Sequence, residues 1–164
     1  MGIETNNGAG GAQPQPAGPP GIGVNVQYVK DLSFENPNAP QSLVQGQTRP
    51  QIEVNVDVQA RGVAQNVFEV ALHITATAKQ GEATTFVIDL LYAGVFTLQN
   101  IAQEQLEPVL LIECPRIIFP FARRVIADAT RDGGFPPLML EPIDFVQLYQ
   151  RHQQAARQQA VAQA

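Results

Sequence analysis

At 164 residues with 45% apolar side chains, the chain suits one domain with a real core. Its formal charge of -5 is unevenly spread: residues 1–113 hold eleven acids against four bases, and residues 114–164 hold four acids against six bases. An acidic front half argues against nucleic-acid binding, which needs clustered Lys and Arg to neutralise phosphates, and is compatible with a basic protein partner. The single cysteine, Cys114, excludes an internal disulfide and a cysteine metal cluster. No basic-then-apolar leader opens the sequence, and no apolar run approaches the roughly 18 residues that span a bilayer. Met1-Gly2 is followed by Asn6 where a myristoylation signal carries Ser or Thr. The expectation is a soluble, cytoplasmic protein.

Residues 1–23 are rich in Gly, Ala, Pro, Gln and Asn and nearly free of large apolar side chains, which predicts a disordered tail. Order is expected from Val24. In the first strand Tyr28, Leu32 and Phe34 share one parity and Asp31, Ser33 and Glu35 the other, up to the turn-rich stretch from Glu35 to Pro40. A second strand alternates Ile52, Val54, Val56, Val58 and Ala60 with Glu53, Asn55, Asp57, Gln59 and Arg61. A third sets Phe68, Val70, Leu72, Ile74 and Ala76 against Glu69, His73 and Thr75. The fourth, from Thr84 to Tyr92, has Phe86, Ile88, Leu90 and Tyr92 on one face and Val87, Asp89 and Leu91 on the other. A strand so apolar needs cover on both sides, from a partner if not from its own helices. Strands two to four read as an antiparallel meander. The link from about Asn36 to Gln51 is too long for a hairpin loop, contains Leu43 and Val44, and is expected to cross over and line a site.

The second half reads as helical. Pro108 and Pro115 are each placed where a helix can begin. Ile117, Ile118, Phe121, Ala122, Val125, Ile126 and Ala129 form an apolar stripe at helical spacing, stopped by Gly133-Gly134. An irregular apolar stretch, Phe135 to Pro142, leads to Asp144 and Gln147, spaced as a capping box for a last helix through Phe145, Leu148 and Tyr149. Residues 153–164 are expected to be a flexible Gln/Ala-rich tail, leaving 24–152 as the domain.

No catalytic constellation emerges. Cys114 lies before a helix-opening proline, where a dipole can lower a thiol pKa, with His73 or His152 as conceivable bases, but a buried structural thiol is the simpler reading. Neither histidine gathers carboxylates at metal-ligand spacing. Arg123-Arg124 reads as a solvated helix face. Asp31 and Glu35 lie roughly 13 Å apart along a strand, too far to share a proton. The expectation is therefore a non-enzyme without cofactor or metal.

Three stretches resemble the SecB family of protein-export chaperones: Tyr28-Val29-Lys30-Asp31-Leu32-Ser33-Phe34-Glu35-Asn36-Pro37-Asn38-Ala39-Pro40, Arg116-Ile117-Ile118-Phe119-Pro120-Phe121-Ala122-Arg123, and Gly134 to Phe145. The resemblance implies an α+β fold: a four-stranded antiparallel sheet with a long crossover loop, packed with a long helix and a short C-terminal helix, in a homotetramer built as a dimer of dimers. It implies ATP-independent binding of unfolded secretory precursors and their delivery to the motor SecA, whose basic zinc-binding tail docks on an acidic sheet face at Asp31, Glu35, Val87 and Asp89. It assigns Phe86, Ile88, Leu90 and Tyr92 to tetramer assembly. For client grooves it points to Leu43, Val44, Phe121, Phe135, Leu138, Leu140, Phe145 and Tyr149. The tryptophan often found in the family's loop is missing, since the chain has no Trp. The alternatives are an oligomeric adaptor and a SecB-like chaperone of a toxin-antitoxin system.

Overall fold

The computed structural model describes residues 18–44 and 49–163. Strands β1 (Gly21–Glu35), β2 (Gln51–Ala64), β3 (Val67–Gln80) and β4 (Ala83–Gln99) form one antiparallel sheet in the order β1-β4-β3-β2. Consecutive strands from β2 onward are hairpin neighbours, turning at Asn66 (φ 59°) and Gly81 (φ 60°). The link between β1 and β2 instead joins opposite edges of the sheet and holds one 3-10 turn, Gln41–Leu43. The strands are longer than the sequence pattern predicts. β4 runs to Gln99 rather than Tyr92, because Val95, Phe96 and Leu98 continue the apolar alternation past Gly94. β1 begins at Gly21, three residues before Val24. The rest of the expected N-terminal tail, residues 1–17, lies outside the described residues.

One sheet face is dry. Val70, Leu72, Ile74, Ile88, Leu90 and Phe96 point inward and are fully covered by helix α2 (Cys114–Asp132), through Ile118, Ala122 and Ile126. Burying a large aliphatic side chain of this kind contributes about 1.5–3 kcal/mol, so this layer is the main source of stability. The α2 stripe is narrower than its sequence suggests: Ile117 (36% exposed) and Phe121 (49%) face away from the sheet.

Pro115 stands as expected in the first turn of α2, at its second residue, whereas Pro108 ends a helix rather than opening one. Helix α1 (Gln103–Pro108), a π-helical segment (Val109–Glu113) and α2 follow without a break. Each proline withholds one backbone donor, and the wider π turn between them accommodates the interrupted hydrogen-bond ladder. The last helix, α3 (Phe145–Ala162), starts where expected, with Asp144 Oδ1 accepting from Gln147 N at 3.0 Å. The Gln147 side chain does not close the box but accepts from Arg151 Nη2 at 3.0 Å. α3 continues to Ala162 through residues read as a flexible tail, since Ala, Gln and Arg are all good helix formers.

The largest departure from simple alternation lies in β1. Val24 pairs with Phe96 and Val26 with Val95, then Val29 pairs with Tyr92 and Asp31 with Leu91, so Asn25 and Lys30 are extra residues in two bulges. The bulge at Lys30 resets the parity. Tyr28 shares its face with Asp31 and Glu35, not with Leu32 and Phe34 as regular alternation predicts.

Candidate functional site

Two surfaces stand out, one on each side of the sheet. The outer side is read directly from the register, because residues paired across strands share a face. Glu35, Val87, Thr77 and Glu53 form one row across all four strands; Ser33, Asp89, Thr75 and Asn55 form the next; Asp31, Leu91, His73 and Asp57 the third. The four docking residues expected from sequence, Asp31, Glu35, Val87 and Asp89, are thus neighbours on one face. Asp31, Glu35 and Asp89 are exposed and Val87 half-buried. Sequence reasoning missed that Glu53 and Asp57 of β2 belong to the same face. Their alternation was visible, but the strand order that carries them there was not. His73 Nε2 lies 2.8 Å from Asp89 Oδ1, and His152 of α3 reaches Asp57 at 3.5 Å.

Farther along this face the charges are paired. Glu69 of β3 meets Lys30 Nζ at 2.9 Å and Arg61 Nε at 2.8 Å, and accepts a hydrogen bond from the Tyr28 hydroxyl. Hydrogen bonds from Arg61, Tyr28 and Lys30 lower the Glu69 pKa to about 2, and burial together with Glu69 pushes Tyr28 up to about 12.

On the inner side, beyond the end of α2, an open apolar cleft of about 550 Å³ lies between the crossover segment, the 134–139 stretch and β2. Leu43, Ile52, Phe86, Phe135, Leu138 and Met139 line it, with Arg49 at its polar edge. Phe34, Phe86 and Phe135 form an aromatic row through its base, with centroids 5.9 and 5.0 Å apart. Its walls are tied by buried and part-buried polar contacts that sequence reasoning did not find. Thr130 Oγ1 donates to Ile126 O at 2.9 Å and accepts from Leu138 N at 2.9 Å, fixing the 134–139 stretch to α2. Asn36 Nδ2 donates to Gly133 O at 3.3 Å and its Oδ1 accepts from Ser42 Oγ at 2.8 Å. The Gly133-Gly134 pair ends α2 and also makes room: a Cβ at Gly133 would sit 2.3 Å from the Phe34 ring, and one at Gly134 (φ 91°) 3.0 Å from Leu43. A second, shallower cleft of about 630 Å³ runs between Val58–Ala60 of β2 and Leu106, Leu110 and Leu111.

The expected groove residues divide. Leu43, Phe135 and Leu138 line the main cleft, and Val44 is 58% exposed beside it. Leu140 and Phe145, at 7% and 1% exposed, line neither cleft and pack in the protomer's core, with Phe145 set against Phe119 at 6.0 Å. Phe121 and Tyr149 lie outside both clefts, Phe121 on the outside of α2 and Tyr149 half-buried on α3, where its hydroxyl accepts from Gln153. Phe86, Ile88, Leu90 and Tyr92 are 3%, 0%, 0% and 8% exposed, so their cover comes from the chain's own helices rather than directly from a partner. The sequence pattern could not tell an intrachain cover from an interchain one.

Cys114 is buried as the first residue of α2, into which the preceding helical run continues, and burial with the nearby Glu113 charge pushes its thiol up to about 12. Burial therefore disfavours the thiolate, the form in which a cysteine attacks. Among the described residues no group of three or more His, Cys, Asp or Glu is arranged to hold a metal, and no helix is long and apolar enough to cross a membrane.

A crossover-linked sheet with a long helix over one face is the fold of SecB-like chaperones. The Mycobacterium tuberculosis SecB-like chaperone, solved in complex with a peptide from the HigA1 antitoxin, superposes with a TM-score of 0.62 at 15% identity, covering 74% of this chain and 90% of that one. The family model described as preprotein translocase subunit SecB matches residues 15–156. The protein-export protein SecB of Parvibaculum lavamentivorans is 57% identical over 162 residues, covering 96% of this chain and 95% of its own. That of Rhodopseudomonas palustris strain HaA2 is 53% identical over 149 residues, covering 91% and 94%. The chain belongs to the SecB family of protein-export chaperones.

Proposed function

We propose that the protein is an ATP-independent holdase: it binds unfolded precursor proteins in its inner-side clefts and hands them to SecA through the acidic outer face. The observation that carries this reading is the separation of two chemistries on opposite sides of one sheet. The main cleft is open, apolar and aromatic at its base, which suits the scattered large side chains of an unfolded chain but not the polar surface of a folded one. The acidic rows are shallow and carry mostly short polar neighbours, which suits a basic docking peptide. Capture needs no chemistry: binding the unfolded state preferentially shifts a client away from folding by mass action.

Oligomerisation supports the same reading. Val29 and Leu32 at the β1 side of the inner face (45% and 42% exposed), Ile52 and Val54 at the β2 side, and Ile117 and Phe121 on α2 are large apolar groups left uncovered in the protomer. A homotetramer, assembled as a dimer of dimers, would cover part of this surface and set several clefts on one particle. Linked weak sites raise avidity by about 10²- to 10⁴-fold when one client chain spans them. Any role of Phe86, Ile88, Leu90 and Tyr92 in assembly then runs through the helix they support.

The test compares one client in two states. Titration with a reduced, unfolded secretory precursor should show saturable binding without nucleotide, and the same polypeptide in its folded form should show none. Equal binding of folded and unfolded forms would instead support an adaptor that joins folded partners.

A further inference from the structure

Glu69 is the only charged side chain, among the described residues, that is buried, at 6% exposed. Its partners come from both edges of the sheet: Tyr28 and Lys30 from β1, Arg61 from β2. β1 and β3 are not adjacent. β4 lies between them, and the residues of β4 and β3 in the Tyr28 row are Ala93 and Ala71, small enough for the phenol ring to reach across. Lys30 is the extra residue of the second β1 bulge, opposite no residue of β4, and it extends over the outer face to Glu69. Without that contact its ammonium would stand beside Asp31, the next residue and a member of the acidic rows.

We propose that Glu69 determines the specificity of the outer face by acting as an internal counter-ion, holding Lys30 and Arg61 away from the acidic rows so that a basic partner meets carboxylates that no lysine or arginine neutralises. The inference rests on the docking face proposed above. Apart from Lys79 near the strand end and the imidazole of His73 beside Asp89, Lys30 and Arg61 are the basic side chains that β1–β4 contribute to this face, and both are committed to one carboxylate. Three donors keep that carboxylate ionised, with its pKa near 2, so the commitment persists at any pH at which the protein works. The face is thereby divided along the strands into a carboxylate half and a compensated half, which also gives a basic peptide a preferred direction of approach.

The experiment measures affinity for the zinc-loaded basic tail peptide of SecA at low and moderate salt, with capture of an unfolded client and oligomer size as checks of fold. Glu69→Gln frees both cations and should weaken peptide binding about tenfold while client capture is kept. The triple variant Glu69→Gln/Lys30→Gln/Arg61→Gln lacks the network altogether, yet should recover most of the lost affinity, because the freed cations are gone. A residue with a merely structural role would not be rescued in this way. Glu104→Gln on α1, with the same change in net charge, should stay within about twofold of wild type. Wild-type affinity in a folded Glu69→Gln variant, or no recovery in a folded triple variant, would overturn the proposal. Should Glu69→Gln not fold, Lys30→Gln alone decides: unchanged affinity supports a lysine already withdrawn, and tighter binding shows one that was free on the face and contradicts it. If the wild-type chain itself does not bind the peptide, the docking face fails, and this inference with it.

Discussion

The two faces of the sheet solve opposite problems with the same four strands. On the inner face, Leu72, Ile74, Ile88 and Leu90 are wholly removed from water and Ile118 closes over them, so each side chain is fixed by its neighbours' shape. On the outer face most groups remain solvated, and Glu69 is the one charged group buried there among the described residues, with three donors to compensate it. Substitutions should therefore act differently on the two sides: inner changes should cost stability, and outer changes should cost recognition while leaving the fold intact. The main cleft is intermediate, since Phe86 belongs to the core while Leu43 and Met139 stay exposed.

The largest effect should come from putting a charge on the inner face. Leu90→Asp buries an unpaired carboxylate where no donor exists, so the protomer itself should unfold rather than tetramers merely splitting into dimers. Circular dichroism and sedimentation separate the two outcomes, and a folded dimer would return Leu90 to an interface. The next effect depends on pH. Because the folded pKa of Glu69 is depressed to about 2, its network stabilises fully above the ordinary carboxylate range and loses that contribution as pH falls through about 2. Wild type should thus be more stable than Glu69→Gln at neutral pH, and denaturant midpoints should converge as the solution is acidified; a gap independent of pH would contradict the pairing.

A smaller effect is expected where the cleft is tightest. Gly134→Val combines a positive φ with crowding against Leu43, at a cost of about 1–3 kcal/mol, and should reduce client capture more than peptide docking. Removing the α3 cap by Asp144→Ala should cost only about 1 kcal/mol, seen as a small drop in Tm with both binding activities kept.

How much of this was legible in sequence follows from what each feature depends on. β2, with its unbroken alternation from Ile52 to Ala60, was readable because a period of two is a local property. The face of Tyr28 was not, because the bulge at Lys30 breaks the local period and brings Tyr28 to Glu69, forty-one residues away. The same limit hid Glu53 and Asp57, which join Asp31 and Asp89 only through the strand order. Leu140 and Phe145 were expected in the grooves through the family resemblance, which does not separate lining from core, and in the protomer both are buried. The proposed docking quartet, Asp31, Glu35, Val87 and Asp89, was suggested only through family resemblance, and β1–β4 pairing supplies the geometric reason its members sit together.

The central claim, that client and docking partner use opposite sides of one sheet, is tested most directly by a paired titration of Asp31→Lys/Asp89→Lys. Both positions are exposed, so the double variant should fold and assemble normally. The account predicts that affinity for the basic SecA tail falls at least about tenfold, that the wild-type interaction weakens with salt because exposed charges are screened over about 8 Å, and that affinity for an unfolded precursor stays the same. Unchanged tail affinity in the double variant would contradict the outer docking face, and equal loss of both activities in a folded protein would contradict the separation of the two sites.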